Sequence, residues 1–353
     1  MPAREDVPLA ELTTLRLGGP ARRLVEATSS AELIAAVSAA DRAGEPVLVI
    51  AGGSNLVVGD SGFDGVAVHV ATRGLDVVRV GDRVRLTVAA GEPWDGLVAR
   101  SVADGLAGIE CLSGIPGSTG AGPIQNIGAY GQEIASTLVS VSAYDREAGR
   151  AVTLDRERCA FAYRSSAFKR SARFVILAVA LELDATPAGL PITYGQLAAE
   201  LGVEPGARPP LAAVREAVLA LRRAKGMLVD PADPDSVSAG SFFTNPILAD
   251  ADFRELERRA AARLGPGARP PAWPEPGGGV KTSAAWLIER AGFRRGYGTG
   301  AVGVSAKHTL AIVNRGGATT AELIELAREL RDGVRAAFGV TLAVEPTLVG
   351  VRL

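Results

Sequence analysis

Between Ser113 and Ile134 the chain reads SGIPGSTGAGPIQNIGAYGQEI, and six glycines with two prolines in that span forbid an ordinary helix or strand. A second glycine-rich stretch, AGGSNLVVGDSGFDG, runs from Ala51 to Gly65. Backbone without side chains lets successive N–H groups turn toward one ligand and form a concavity suited to phosphate oxygens. Neither stretch carries a familiar fingerprint. No G-x-G-x-x-G opens a helix after the first strand, and GGGVKT at Gly277 lacks the spacing of a P-loop. A Rossmann dinucleotide fold and a P-loop NTPase are therefore set aside. Two such loops in one half of the chain, each holding Ser and Asn, point to a cofactor with a diphosphate; tight-turn chemistry alone is the competing reading.

The 353 residues allow two or three domains, and the near-even balance of acids and bases argues against a nucleic acid or an anionic membrane as main partner. FVILAVALEL from Phe174 is the longest apolar run and is too short to span a bilayer, while MPAREDVPLAEL has no signal-peptide pattern. A cytoplasmic protein is expected, and two cysteines fit a reducing compartment. Cys111, Cys159, His69 and His308 lie far apart in sequence, which leaves little for zinc and removes most Ser-His-Asp and Cys-His schemes. Lysine survives only at Lys169, Lys225, Lys281 and Lys307 in an arginine-rich chain, so a retained lysine is a candidate for a compact ammonium at a site, against chance survival on the surface.

Periodicity predicts an α+β fold. Ser29 with Glu32 forms a capping box before a helix that stops at Gly44, and Thr319 with Glu322 forms another before a long helix ending at Gly339. LDVVRVGDRVRLTVAAG reads as a hairpin turning at Gly81-Asp82, and Trp94, Leu97 and Val98 mark a further helix. Strands are expected in STLVSVSAYDREAGRAVTL and RFVILAVALEL, and His69 alternates with core positions as a structural residue. GVEPGARPP reads as a domain boundary, followed by an amphipathic helix through Leu211, Val214, Val218 and Leu221.

GGSNLVVGDSGFDG together with SGIPGSTGAGPIQNIGAYGQEI resembles the UDP-N-acetylenolpyruvoylglucosamine reductase (MurB) family. Further blocks follow in the family's order: LTTLRLGGPA near Leu12, YRSSAFK at Tyr163, AGSFFTNP at Ala239, VKTSAAWLIERAGF at Val280 and VEPTLVG at Val344. ITYGQLAAEL around Tyr194 resembles the longer, type I form. The resemblance implies a two-subdomain FAD-binding fold of the vanillyl-alcohol-oxidase/MurB type plus a C-terminal α+β substrate-binding domain. Its parts are expected at 1–72, 73–205 and 206–353, with the last residues returning to the active site. It also implies FAD and NADPH as cofactors, UDP-N-acetylglucosamine enolpyruvate as a small-molecule substrate, UDP-N-acetylmuramate as product, and a monomer without nucleic-acid or membrane partners.

By the same resemblance Arg164 is the active-site arginine, Glu345 the essential glutamate and Ser241 the serine that protonates the carbon beside the carboxylate. The FAD contacts fall on Gly52, Gly53, Ser54, Asn55 and Leu56 in the first loop. In the second they fall on Gly114, Ile115, Pro116, Gly117, Ser118, Gly120, Ala121, Gln125, Asn126, Gly128, Ala129 and Tyr130. Substrate contacts are implied for Tyr163, Tyr194, Lys225, Asn245 and Lys281. On the residues alone, Arg164 reads as a surface turn, Glu345 as a strand end and Ser241 as a cap or turn residue. Cys111 reads as a small buried residue rather than a flavin tether. Two other functions remain: a flavin oxidase passing electrons to oxygen, which would more often tether flavin through His or Cys, and a UDP-sugar-binding regulator, which would not need Arg164, Ser241 and Glu345 intact.

Overall fold

The computed structural model describes residues 3–275 and 277–353, and these divide into two compact units. The first comprises residues up to Pro8, Pro20–Gly53 and Phe63–Leu228; the second comprises Leu9–Gly19, Ser54–Gly62 and Val229–Leu353.

In the first unit, strands Ala3–Pro8, Pro20–Ala27, Phe63–Val70 and Val47–Ile50 form a sheet in that order. The outer pair is antiparallel and the rest parallel. Helix α1 (Ser30–Arg42) turns Leu33, Ala36, Val37 and Ala40 inward, and they join Val25, Ala27, Val66 and Val68 in one core. Full burial of Leu33 and Val37 contributes about 1.5–3 kcal/mol each. Ser29 caps α1 through the Glu32 N–H, but the Glu32 carboxylate returns to the N–H and hydroxyl of Thr28, one residue beyond the expected box. His69, half-buried on Phe63–Val70, faces Glu26 at 3.2 Å.

The second sheet of this unit is antiparallel: Arg150–Asp155, Leu138–Asp145, Phe174–Ala185, Arg83–Ala89 and Leu75–Val80, with Leu106–Ala107 also paired to Phe174–Ala185. Val80 pairs directly with Arg83, so Gly81 and Asp82 are the whole turn, and Gly81 takes φ 64° as such a turn requires. Helix α2 (Trp94–Ala103) buries Trp94, Leu97 and Val98 as their spacing predicts. Helix α3 (Gly195–Leu201) and helix α4 (Leu211–Ala224) also belong to this unit. Leu211, Val214, Val218 and Leu221 of α4 are buried, and the last three pack with Leu197 and Cys111. Apolar surface on α4 thus meets the turn that precedes the second glycine loop.

The second unit is built on a separate core. Strands Ser238–Ser241, Ala311–Asn314 and Val302–Val304 form an antiparallel sheet. Ile247–Leu248, Val280–Lys281 and Trp273–Pro274 form a smaller one, and Leu56–Val58 pairs in parallel with Thr347–Val349. Helices α5 (Asp250–Leu264), α6 (Ala284–Ala291) and α7 (Thr320–Phe338) supply the apolar faces. Thr319 and Glu322 make the full capping box of α7, and Gly339 ends it at φ 76°. Asp60 adds two further bonds, to the N–H groups of Thr320 and Ala321, at 2.7 and 2.9 Å. Leu15, Leu17 and Val57 lie in the same core as the α7 side chains Leu323, Leu330 and Phe338.

Candidate functional site

The second glycine loop is fastened along its length within the first unit. Trp94 N–H donates to Gly117 O at 3.0 Å, and Thr119 and Gly120 N–H donate at 2.8 Å to Glu92 O and Ala90 O. Asp95, in the first turn of α2, accepts the Gly114 N–H at 2.6 Å and forms a two-pronged pair with Arg215 of α4 at 2.6 and 2.8 Å. Burial opposes ionisation of Asp95, but the Arg215 guanidinium and the Gly114 N–H hold its carboxyl below the usual range.

The glycines have a reason that the sequence did not reveal. A Cβ on Gly52 would lie 2.6 Å from the Cα of Gly117, so the two loops approach main chain to main chain. A Cβ on Gly114 would lie 2.4 Å from Leu228 Cδ2, and one on Gly120 2.5 Å from the Ala90 side chain. Main-chain packing therefore demands glycine at Gly52 and Gly120, while at Gly114 it is the φ of 72° that favours glycine. Gly53, Gly114 and Gly117 also take positive φ. Amid this packing the Ser118 hydroxyl is buried without a hydrogen-bond partner. An orphaned hydroxyl costs about 1–3 kcal/mol unless a ligand completes it. The loops thus fit a cofactor that brings oxygen acceptors, as the diphosphate of FAD does.

Beyond this, Gly128–Ala129 and Gln132–Glu133 form a short hairpin whose turn residues, Tyr130 and Gly131, have φ 48° and 88°. Positive φ at a tyrosine is strained, and it presents the ring at the tip. Tyr194 meets that ring edge-on with centroids 5.6 Å apart, and the Lys225 ammonium sits 5.4 Å from its centre. Lys225 also donates to Gln196 at 2.8 Å, and burial together with nearby Arg222 pushes its ammonium toward deprotonation. Arg222 itself has a buried Nε without a partner. Three residues far apart in sequence, Tyr130, Tyr194 and Lys225, are thereby gathered, with Arg222 as an unforeseen member.

Arg164 also has positive φ, 49°, and its guanidinium bonds the carbonyls of Gly128 at 2.6 Å and Asn126 at 3.4 Å. Its Cζ lies 5.3 Å from the centre of the Tyr163 ring. Asn126, at φ 47°, bonds Glu133, Ala162 O and the Ala135 N–H, so its side chain is committed to fixing the loop. A Cβ on Gly128 would stand 2.8 Å from Glu133 Cγ and 3.0 Å from Arg164 Nη1, so both side chains would have to shift to admit one. Ile115, Pro116, Ala121, Gln125 and Ala129 line the same stretch, all partly buried. Cys111 is buried, and desolvation with Glu110 nearby pushes its thiol up to about 12, unlike a flavin-linking nucleophile.

The remaining predicted residues lie in the second unit. Ser241 ends strand Ser238–Ser241 opposite Ala311, after a positive-φ Gly240. The chain then pairs with the segment around Glu345: Thr244 N–H reaches Ala343 O, Phe243 bridges Val344, and Glu345 N–H reaches Phe242 O at 3.0 Å. Phe242 and Phe243, each 1% exposed, anchor this pairing in the core. Two residues beyond Glu345, Thr347 N–H bonds Asn55 O at 3.0 Å, and Thr347 pairs with Leu56. Ser54, Asn55 and Leu56 thus fall in the unit of Glu345, whereas Gly52 and Gly53 fall in the first. Asn245 accepts the Ala284 N–H at the start of α6, and Ile247 pairs with Lys281, whose ammonium meets Glu275 at 2.5 Å.

Sequence reasoning missed Asp95, Glu110 and Arg222. The spacing of Arg222 and Lys225, three apart at the end of α4, was the available signal for the last. Among the described residues, no group of three or more His, Cys, Asp or Glu could hold a metal ion.

Residues 21–155 match the FAD binding domain model, and residues 231–349 match the C-terminal domain model of UDP-N-acetylenolpyruvoylglucosamine reductase. The chain is 57% identical over 349 residues to the UDP-N-acetylenolpyruvoylglucosamine reductase of Thermobifida fusca, covering 99% of this chain and 98% of that one. With the Streptomyces coelicolor protein of that name it shares 58% over 350 residues, covering 99% and 90%. The crystal structure of MurB from Thermus caldophilus superposes with a TM-score of 0.67 at 24% identity, covering 98% of this chain and 99% of that one, which shows a shared fold. With matches to an FAD binding domain model and to the family's own C-terminal domain model, and with relatives alike from end to end, the chain belongs to the UDP-N-acetylenolpyruvoylglucosamine reductase family.

Proposed function

We infer that this chain is a UDP-N-acetylmuramate dehydrogenase, which reduces UDP-N-acetylglucosamine enolpyruvate to UDP-N-acetylmuramate for peptidoglycan precursor synthesis, with FAD as cofactor and NADPH as reductant. The observation that carries the reading is the pairing of Phe242–Thr244, directly after Ser241, with Ala343–Glu345, which joins two family motifs about a hundred residues apart. When bound, FAD supplies hydride transfer from NADPH to the terminal vinyl carbon of the substrate. Its diphosphate would be held by the main chain of Gly52, Gly53, Gly117 and Ser118 and by the Ser118 hydroxyl, the N–H groups of Gly114, Thr119 and Gly120 being engaged within the protein.

The protein's own residues must manage the charge that hydride addition sends toward the substrate carboxylate. Arg164 suits that task, because Gly128 O fixes the position of a planar guanidinium whose fork matches a carboxylate gaining charge. Ser241 donates the proton that completes the saturated lactyl ether. A hydroxyl is a weak acid, so its position counts for more than its pKa, and the strand pairing beside it supplies rigidity. Glu345 shares the hydrogen-bond network of the developing enol acid. Tyr163, Tyr194, Lys225, Asn245 and Lys281 bind the polyanionic substrate, with Lys225 and Lys281 opposing its phosphates.

The enzyme acts as a cytoplasmic monomer without nucleic-acid or membrane partners; no helix among the described residues is long and apolar enough to cross a membrane. For domain organisation, residues 1–72 and 73–205 supply the two FAD-binding parts and 206–353 the substrate-binding part, with 9–19 and 54–62 grouped in the second compact unit and 206–228 in the first.

Anaerobic absorbance titration tests the function. The oxidised-flavin band should bleach with NADPH and recover on adding the enolpyruvyl sugar; recovery with oxygen alone would favour an oxidase. Ser241→Ala should keep the bleaching step and lose product formation, and loss of bleaching instead would remove Ser241 as a dedicated proton donor.

A further inference from the structure

Glu110 is completely enclosed, at 0% exposure, and has no part in the chemistry above. A carboxyl buried so deeply is costly unless its oxygens are satisfied, so its partners explain its presence. Oε2 accepts the Gly108 N–H at 2.6 Å, and Oε1 accepts the N–H of Leu190, 80 positions away, at 2.8 Å. Leu190 opens the segment that delivers Tyr194. Within that segment Ile192, 2% exposed, packs with Cys111, and the Thr193 hydroxyl fills the space where a Cβ on Gly131 would stand, 2.6 Å away.

The same short turn, Glu110–Leu112, also holds the other tyrosine. Cys111 N–H donates to the Gln132 side chain at 2.8 Å, and Gln132 sits in the hairpin that carries Tyr130. One turn thus grips both sides of the Tyr130–Tyr194 contact, by a side chain on one side and a main-chain N–H on the other, and leads straight into the glycine loop at Ser113.

We propose that Glu110 is a positioning residue for substrate binding: through Leu190 it fixes Tyr194 edge-on against Tyr130 and so sets the affinity for the diphosphate sugar. The proposal rests on the reading of Tyr194 as a substrate contact. A double-mutant cycle of Glu110→Gln and Tyr194→Ala tests it, with KM for the enolpyruvyl sugar, kcat, FAD content and hydrogen exchange at the Leu190 amide as readouts. Glu110→Gln should raise KM roughly tenfold with kcat and FAD content retained, speed exchange at Leu190, and add less than about twofold in the Tyr194→Ala background. An equal rise in KM in both backgrounds, or none in either while Tyr194→Ala raises it, overturns the positioning role alone. Unchanged KM in Tyr194→Ala removes the substrate-contact reading and the proposal with it. Should Glu110→Gln fail to fold, Glu110→Asp, which keeps the carboxylate but is too short to reach both donors, carries the same cycle.

Discussion

On the proposed reading, Ser118 is a single residue kept for a ligand at the expense of the empty fold. Its hydroxyl is buried and unpartnered, so Ser118→Ala should raise the thermal stability of the cofactor-free protein slightly while weakening FAD binding roughly tenfold. Calorimetry of the apoprotein and fluorescence titration with FAD check the two signs; a drop in both stability and affinity would make Ser118 a packing residue only. Residue types were partly legible in the sequence: Lys225 stands out as one of four lysines in an arginine-rich chain, whereas Ser118 and Arg164 were pointed to by the resemblance alone. Their conformations were not. Asn126, Tyr130 and Arg164 all take positive φ, a state that local propensity disfavours and that only surrounding bonds, such as Arg164 to Gly128 O, can hold.

At the scale of elements, the glycine loops read from sequence as cradles, and in the fold they are also joints. Gly52 and Gly117 touch through their main chains, so Gly52→Ala should destabilise the protein by about 1–3 kcal/mol and reduce FAD retention, seen as a lower Tm and flavin loss on desalting. An unchanged Tm would show that the loops yield freely. Helices α1, α2, α4 and α7 were all foreseeable, because their apolar residues recur at helical spacing and their ends carry Ser, Thr or Gly. The affiliation of α4 was not foreseeable. GVEPGARPP before it looks like a linker, yet Ile192 N–H bonds Ala207 O and Gly206 N–H bonds Ile192 O, which folds that stretch back onto the first unit.

At the scale of the whole molecule, the chain passes between its two units at residues 8–9, 19–20, 53–54, 62–63 and 228–229. The C-terminal unit therefore owns two early segments. Leu15, Leu17 and Val57 fill its core, Leu56–Val58 pairs with Thr347–Val349, and Asp60 caps α7. A fragment of residues 229–353 should consequently lack cooperative thermal unfolding, and adding peptides 9–19 and 54–62 should restore part of it. A sharp transition in the fragment alone, followed by circular dichroism, would contradict this accounting.

The sequence by itself determined the α+β class, the hairpin at Gly81-Asp82, the helical faces, and through its ordered motifs the family and its cofactor. These are local or pattern properties: propensity, periodicity and spacing are written along the chain. Tertiary structure alone decided that Gly52 meets Gly117, that Glu345 is strand-paired beside Ser241, that Tyr130, Tyr194 and Lys225 share one cluster, and that Glu110 ties Leu190 to the loop root. Each joins residues from tens to about a hundred positions apart. Such contacts follow from the burial of Phe242, Phe243, Ile192 and their neighbours in common cores, a long-range balance of apolar burial and hydrogen-bond satisfaction that no short window of sequence contains.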